Sequence, residues 1–229
     1  MGLQSAIPGY KTVGYVEREA FAAAVIVARM ADKALDKAPI WDDISTFPAW
    51  SYGSRVDLVS AGFPCQPVSL AGKGEGQDDP RWLWPHVARI VREVRPKYVF
   101  LENVPGLIRR GLALVLQDLA EFGFDAEWGV FSAAEVGAPH LRKRLFLLAS
   151  NTDSGGLEEE RSKGVLDGER EALGHDPDGL CGPWAAEPSV GRVADGVAYR
   201  VDRLRACGNG VVPQCAALAW QELRGRFEE

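Results

Sequence analysis

Short apolar runs with a two-residue alternation recur along the first 150 residues, separated by longer runs with helical spacing. Residues 11–17 predict a strand, and 20–30 an alanine- and valine-rich helix with Glu17 and Glu19 near its favourable N-terminal end. A weak strand around Ile40 and Trp41 follows. Beyond it the pattern predicts strand 56–60, helix 83–94, strand 98–101, helix 112–122, a strand around 125–131 and strand 145–149. Residues 151–190 lose this periodicity; Gly155-Gly156, Glu158-Glu159-Glu160 and Asp176-Pro177-Asp178-Gly179 predict a loop, a very small subdomain or disorder. A last ordered unit starts near Val190, and Gly208-Asn209-Gly210-Val211-Val212-Pro213 leads into a helix over 214–224. Alternating strands and helices of these lengths predict an α/β fold with a doubly wound, mostly parallel sheet, whose sites lie at the carboxyl ends of the strands.

With 229 residues, 46% of them hydrophobic, the chain suits one domain with a real core. No apolar stretch approaches the roughly 20 residues that span a bilayer, and Met1-Gly2-Leu3-Gln4 lacks the parts of a signal peptide, so a cytoplasmic location is expected. Cys65, Cys181, Cys207 and Cys215 show no CxxC spacing, and His86, His140 and His175 form no zinc-binding pattern, so neither a metal site nor a disulfide framework is expected. The net charge of −6 argues mildly against nucleic acid until it is divided. Residues 1–150 hold 17 basic and 17 acidic residues, whereas 151–190 hold 3 and 10. Basic clusters remain at Arg109-Arg110, at Arg142-Lys143-Arg144 and at Arg200, Arg203 and Arg205, and local patches decide phosphate binding.

The chemistry concentrates where two predicted strands end. Cys65 lies in Gly62-Phe63-Pro64-Cys65-Gln66-Pro67-Val68-Ser69, directly after strand 56–60, and strand 98–101 runs into Glu102-Asn103-Val104. A thiol and a carboxyl at one sheet edge point to covalent catalysis. The plainer alternatives are a buried structural cysteine and a carboxylate that caps the following turn. Gln66 and Ser69 place polar groups beside the thiol, and the glycine-rich 70–77 predicts a loop able to close over a substrate; it lacks the frame of a phosphate-binding Walker loop.

In this order, 62–69, Glu102-Asn103-Val104, Arg142 with Arg144, and Gly208-Asn209 resemble the cytosine-5 DNA methyltransferases of bacteria and their phages, over about residues 3–219. The resemblance implies transfer of a methyl group from S-adenosylmethionine to carbon 5 of cytosine in double-stranded DNA through a covalent cysteine adduct. Cys65 is then the nucleophile, and Glu102, kept protonated by partial burial, the proton donor at ring nitrogen 3. Asn103 positions neighbouring backbone, Arg144 meets the cytosine carbonyl oxygen, and Arg142 the phosphates. Both arginines are expected on one face of the strand they open, with a solvated charge pair as the alternative. Arg81 resembles the arginine that reaches the target nucleotide, which must be flipped out of the duplex, and Gln66 and Ser69 fall with it on the DNA side. On the cofactor side, Glu17 ends a strand where an acid binds ribose hydroxyls, Asp43-Ile44 resembles the adenine-holding segment, and Pro64, Leu83 and Asn209 match pocket positions. His140 stands where the family has glutamine.

The resemblance implies a catalytic domain over 1–150, a reduced target-recognition segment over 151–190 and a returning segment over 191–229. Arg192, with Arg200, Arg203 and Arg205, is the candidate for DNA contact, or plain scaffold. Family members begin with a strand and a Phe-x-Gly-x-Gly-Gly turn not found here, so the methyltransferase fold is expected without its first strand, leaving a slot between the strands ending at Glu17 and Ser60. Weak cofactor binding and low stability are expected to follow. A monomer is expected, with a restriction endonuclease as a possible companion. The alternatives are an inactive DNA-binding remnant and methylation of transfer RNA, the latter disfavoured by Gln66.

Overall fold

The computed structural model describes residues 1–64, 82–151 and 210–228. Cys65, Gln66, Ser69, Arg81, Arg192 and Asn209 lie outside the described residues, as do 152–190 and 191–209 of the two later segments. The elements are α1 (Gly2–Ala6), β1 (Tyr15–Val16), α2 (Ala20–Ala31), β2 (Ile40–Trp41), β3 (Leu58–Ala61), α3 (Trp84–Val94), β4 (Tyr98–Asn103), α4 (Leu107–Arg110), α5 (Leu112–Glu121), β5 (Phe124–Phe131), β6 (Arg144–Asn151) and α6 (Pro213–Gly225). Each strand and helix expected from periodicity among these residues is present. The strand expected over 11–17 is reduced to two residues, and α4 was not expected.

The principal sheet has the order β3-β4-β6-β5. β3 and β4 are parallel, with Leu58 opposite Tyr98 and Ala61 opposite Leu101. β6 runs antiparallel between β4 and β5, so among the described residues parallel pairing joins only β1 with β2 and β3 with β4. The antiparallel end matches its connection: residues 132–143, which join β5 to β6, hold a 3-10 turn over Ala133–Val136 and not the α-helix that usually carries a parallel crossover.

Helices cover both faces, and alternation along each strand assigns its side chains to them. Val99 and Leu101 of β4, with Leu145, Leu147 and Ala149 of β6, face α3 and α5 in a core with Trp84, Val91, Val115 and Leu119. Phe100, Phe146 and Leu148 face α6 through Trp220 and Leu223, with Leu3 and Ala6 of α1 alongside. Here α1 comes so close to α6 that a Cβ on Gly2 would lie 2.4 Å from the carbonyl oxygen of Pro213. The helix α3 admits Pro85 in its first turn and stops at Arg95 (φ 50°), immediately before Pro96.

β1 and β2 form a separate two-stranded parallel sheet. Neither pairs with β3, so among the described residues no strand pairing bridges the slot expected between the strands ending near Glu17 and Ser60. It belongs to a cleft of about 3100 Å³ lined by Val13 to Glu17 on one wall and Leu58 to Pro64 on the other. The Tyr10 side chain reaches across toward Ser60, and burial raises its phenol pKa. No helix among the described residues is long and apolar enough to cross a membrane.

Candidate active site

The carboxyl ends of β3 and β4 lie side by side at one rim of this cleft, because the strands are adjacent, parallel and in register. Glu102 stands opposite Phe146, two residues after Arg144, so the Glu102 and Arg144 side chains share one face as diagonal neighbours. The Arg144 Nε lies 2.9 Å from Glu102 Oε1, with the two side chains 18% and 17% exposed. Burial pushes the Glu102 carboxyl pKa above its ordinary value, and the guanidinium groups of Arg144 and Arg142 pull against it without cancelling it.

The backbone leaving β3 presses against that carboxyl. A Cβ placed on Gly62 would sit 3.1 Å from Glu102 Oε2, so the absence of a side chain leaves the carboxyl its place. Asn103 points to the opposite face, where its amide Nδ2 donates to the Phe63 carbonyl at 3.3 Å and its Oδ1 accepts from the Val104 N–H at 2.9 Å. The Phe63 ring meets Trp82 edge-on, 5.6 Å between centroids, and Trp84 at 5.8 Å. Thus Phe63 and Trp82, which flank 64–81, are buried in one aromatic group. Sequence reasoning did not single out Phe63 or Trp82; the aromatic residues flanking the motif were the available signal.

Arg142 lies just before β6, which begins at Arg144. The Arg142 Nη2 donates to the Gly210 carbonyl, fastening the entry of β6 to the chain just before α6.

The described cofactor candidates, Glu17, Asp43, Ile44, Pro64 and Leu83, all line the cleft that Glu102, Asn103 and Arg144 also line. Glu17 follows β1 directly, and its Oε1 accepts the Glu19 N–H at 2.7 Å. The Asp43 Oδ1 accepts from the Ser45 N–H at 2.8 Å and hydroxyl at 2.7 Å, and these bonds lower its pKa, so the carboxylate stays ionised. Two acidic groups at one end of an apolar-walled cleft suit a ligand carrying hydroxyl and amino donors, so the residues present fit an adenosine group. Two more residues, overlooked in the sequence, hold the Asp43-Ile44 segment: Arg89 donates to the Ile44 carbonyl at 2.8 Å and the Phe47 carbonyl at 3.1 Å, and Glu93 accepts the Trp50 N–H at 3.1 Å.

A sequence model described as C-5 cytosine-specific DNA methylase matches residues 1–170, most of the chain and all six strands. The chain belongs to the C-5 cytosine-specific DNA methylase family. Among the family's Type II methyltransferases, it is 34% identical over 163 residues to M.PspPI of Psychrobacter sp. (strain TA137), a match covering 67% of this chain and 37% of that protein. It is 32% identical over 155 residues to M.CviJI of Paramecium bursaria Chlorella virus IL3A, covering 66% of this chain and 41% of that protein. The chain therefore spans less than half the length of these relatives. Among solved structures, a mutant of Spodoptera frugiperda DNMT2 aligns with a TM-score of 0.54 at 20% identity, over 71% of this chain and 49% of that one. A putative DNA modification methyltransferase from an E. coli prophage aligns with a TM-score of 0.51 at 23% identity, over 66% and 44%. At such identities the likeness is one of fold, and it agrees with the methyltransferase architecture expected from sequence.

Proposed function

We propose that this C-5 cytosine-specific DNA methylase transfers a methyl group from S-adenosylmethionine to carbon 5 of a cytosine flipped out of double-stranded DNA. The observation that supports this most is the Glu102 carboxyl: buried, drawn up in pKa, paired with Arg144, and set against the backbone that leads within three residues to Cys65. Connectivity alone keeps the Cys65 Cα within about 11 Å of that of Gly62, at roughly 3.6 Å per residue.

Carbon 5 of cytosine is too weak a nucleophile to attack a sulfonium directly. The Cys65 thiolate adds to carbon 6, forming a carbon–sulfur bond, while the ring electrons move toward nitrogen 3. There the Glu102 carboxyl donates its proton, leaving an enamine with electron density on carbon 5. Arg144 is placed to steady the same carboxyl and to donate to the cytosine carbonyl oxygen, and Asn103 to hold the Phe63-Pro64 backbone. When bound, S-adenosylmethionine supplies an electrophilic methyl group. Once carbon 5 had taken the methyl group and the sulfonium had left as a neutral thioether, carbon 5 would lose its proton to a base, Cys65 would be expelled and nitrogen 3 would return its proton to Glu102, restoring the aromatic ring. Glu17, Asp43, Ile44, Pro64 and Leu83 would hold the cofactor, with Asn209 beside them. Gln66, Ser69, Arg81, Arg142 and Arg192 fall to the DNA.

The test is covalent trapping on duplex DNA carrying 5-fluorocytosine. The native chain is expected to form a stable adduct with cofactor present, and Cys65→Ser none; trapping by Cys65→Ser would remove Cys65 from the nucleophile's role. A second reading, a DNA-binding remnant without catalysis, draws support from β1 and β3, each of which pairs on one side alone among the described residues. Exchange of the cytosine carbon 5 hydrogen with solvent, which needs the thiol and the carboxyl alone, separates the two: a remnant gives none.

A further inference from the structure

The segment 42–50 has no strand partner of its own, yet it carries Asp43 and Ile44 into the cleft. Its shape is set by two side chains one helical turn apart on α3. The Arg89 guanidinium gives Nη2 to the Ile44 carbonyl (2.8 Å) and Nη1 to the Phe47 carbonyl (3.1 Å). The same Nη1 lies 3.1 Å from each oxygen of Glu93, whose Oε2 accepts the Trp50 N–H at 3.1 Å. One ion pair thus grips the segment at residues 44, 47 and 50. Both side chains are mostly withdrawn from water, at 26% and 27% exposed, so their charge-assisted bonds are weakly screened.

Between these grips the segment is internally braced. The Asp43 turn closes on Ser45, and the Trp41 indole Nε1 donates to the Thr46 hydroxyl at 3.1 Å. Ile44 also packs against the core beneath α3 and α5 and against a small cluster of Ala49, Ile90 and Val94. The apolar contact fixes depth, but only the guanidinium fork fixes rotation, because two carbonyls aimed at one planar group define an orientation. A lysine ammonium, a point charge on a flexible stem, cannot reproduce that fork.

We propose that Arg89 and Glu93 are positioning residues that hold segment 42–50 in the shape that presents Asp43 and Ile44 to the adenine end of the cofactor, an inference resting on the cofactor reading above. The pair acts through the segment and touches no reacting atom. Its loss therefore weakens cofactor binding more than it slows the chemistry.

The experiment compares the native chain with Arg89→Lys, Arg89→Met and the milder Glu93→Gln. In the free protein, hydrogen exchange of the amides of 44–50 is expected to accelerate in both Arg89 variants, while Val99 to Leu101 of β4 keep their protection. Calorimetry with S-adenosylhomocysteine is expected to show a dissociation constant raised about tenfold in Arg89→Met, about as much in Arg89→Lys and less in Glu93→Gln, in line with losing a charge-assisted bond. In turnover, the KM for S-adenosylmethionine should rise more than kcat falls. Affinity unchanged in Arg89→Met overturns the inference, as does lost affinity without faster exchange in 44–50, or full rescue by lysine. If Arg89→Met fails to fold, Glu93→Gln carries the same readouts and decides the matter in the same way. A native chain that binds no cofactor analogue overturns the cofactor reading, and this inference with it.

Discussion

Glu102 carries opposing influences that its variants can separate. Burial raises its pKa, and Arg144 and then Arg142 lower it, so the carboxyl holds its proton to a higher pH than an exposed glutamate. Any step that uses that proton is supported below the raised pKa and lost as pH rises through it. Glu102→Gln is expected to lower the rate by roughly two to four powers of ten and to erase that limb, the range general acids usually contribute; an unchanged rate would remove Glu102 from the acid's role. Arg144→Met takes away the strongest charge favouring ionisation, so the limb should move to higher pH, read by following carbon 5 hydrogen exchange against pH or by carboxyl NMR of the free protein. A limb that moves to lower pH would contradict the pairing. The linked effect on folding has the same origin. Because the folded pKa lies above the unfolded value, the native state binds more protons between the two, and stability falls as pH rises through that window.

At the scale of elements, much of the site was legible because strand ends are easy to read. The runs before Gly62 and Glu102 gave two strands, and parallel pairing brought their ends together. The length of β1 was not legible: it depends on which strand lies alongside, a long-range fact that local periodicity does not contain. Arg89 was hidden for another reason. Its spacing to Glu93 is that of an ordinary surface ion pair, and only the fold shows that two carbonyls of 44–47 face it. α4 was missed because Arg109-Arg110 drew notice as a basic cluster alone, and Gly111, which joins α4 to α5, does local work. A Cβ there would lie 2.7 Å from the outer ring of buried Trp82 and 3.2 Å from Leu107. Gly111→Ala is expected to destabilise the fold by about 1–3 kcal/mol, the usual range for overpacking, measured by denaturant unfolding. A change within about 0.5 kcal/mol, typical of surface sites, would mean Trp82 is free to shift.

For the whole molecule, the two walls of the cleft differ in how firmly they are built. The wall of β3, β4 and β6 belongs to a four-stranded sheet with both faces covered, and Val99, Leu145 and Leu148 are fully buried. The opposite wall is a two-stranded sheet and α2, an apolar helix with no buried residue, on which Val25 and Val27 are 43% and 55% exposed. Two-stranded sheets are marginal in water without a third strand or a packed helix, so this wall is expected to open well below the free energy of global unfolding. Native-state hydrogen exchange should show Tyr15, Val16 and the amides of 23–31 exchanging through local opening, while Val99 to Leu101 and Leu145 to Leu148 exchange only through the global transition; one common opening energy would refute the division. The cost falls on the cofactor, because Glu17 rides on the loose wall whereas Asp43, held through segment 42–50 by α3, belongs with Pro64 and Leu83 to the firm one. Apparent affinity is reduced by the fraction of molecules in which both walls are in place. A bound cofactor analogue should therefore raise protection across β1, β2 and α2 far more than across β4, and any variant that steadies α2 should tighten binding without touching the ligand.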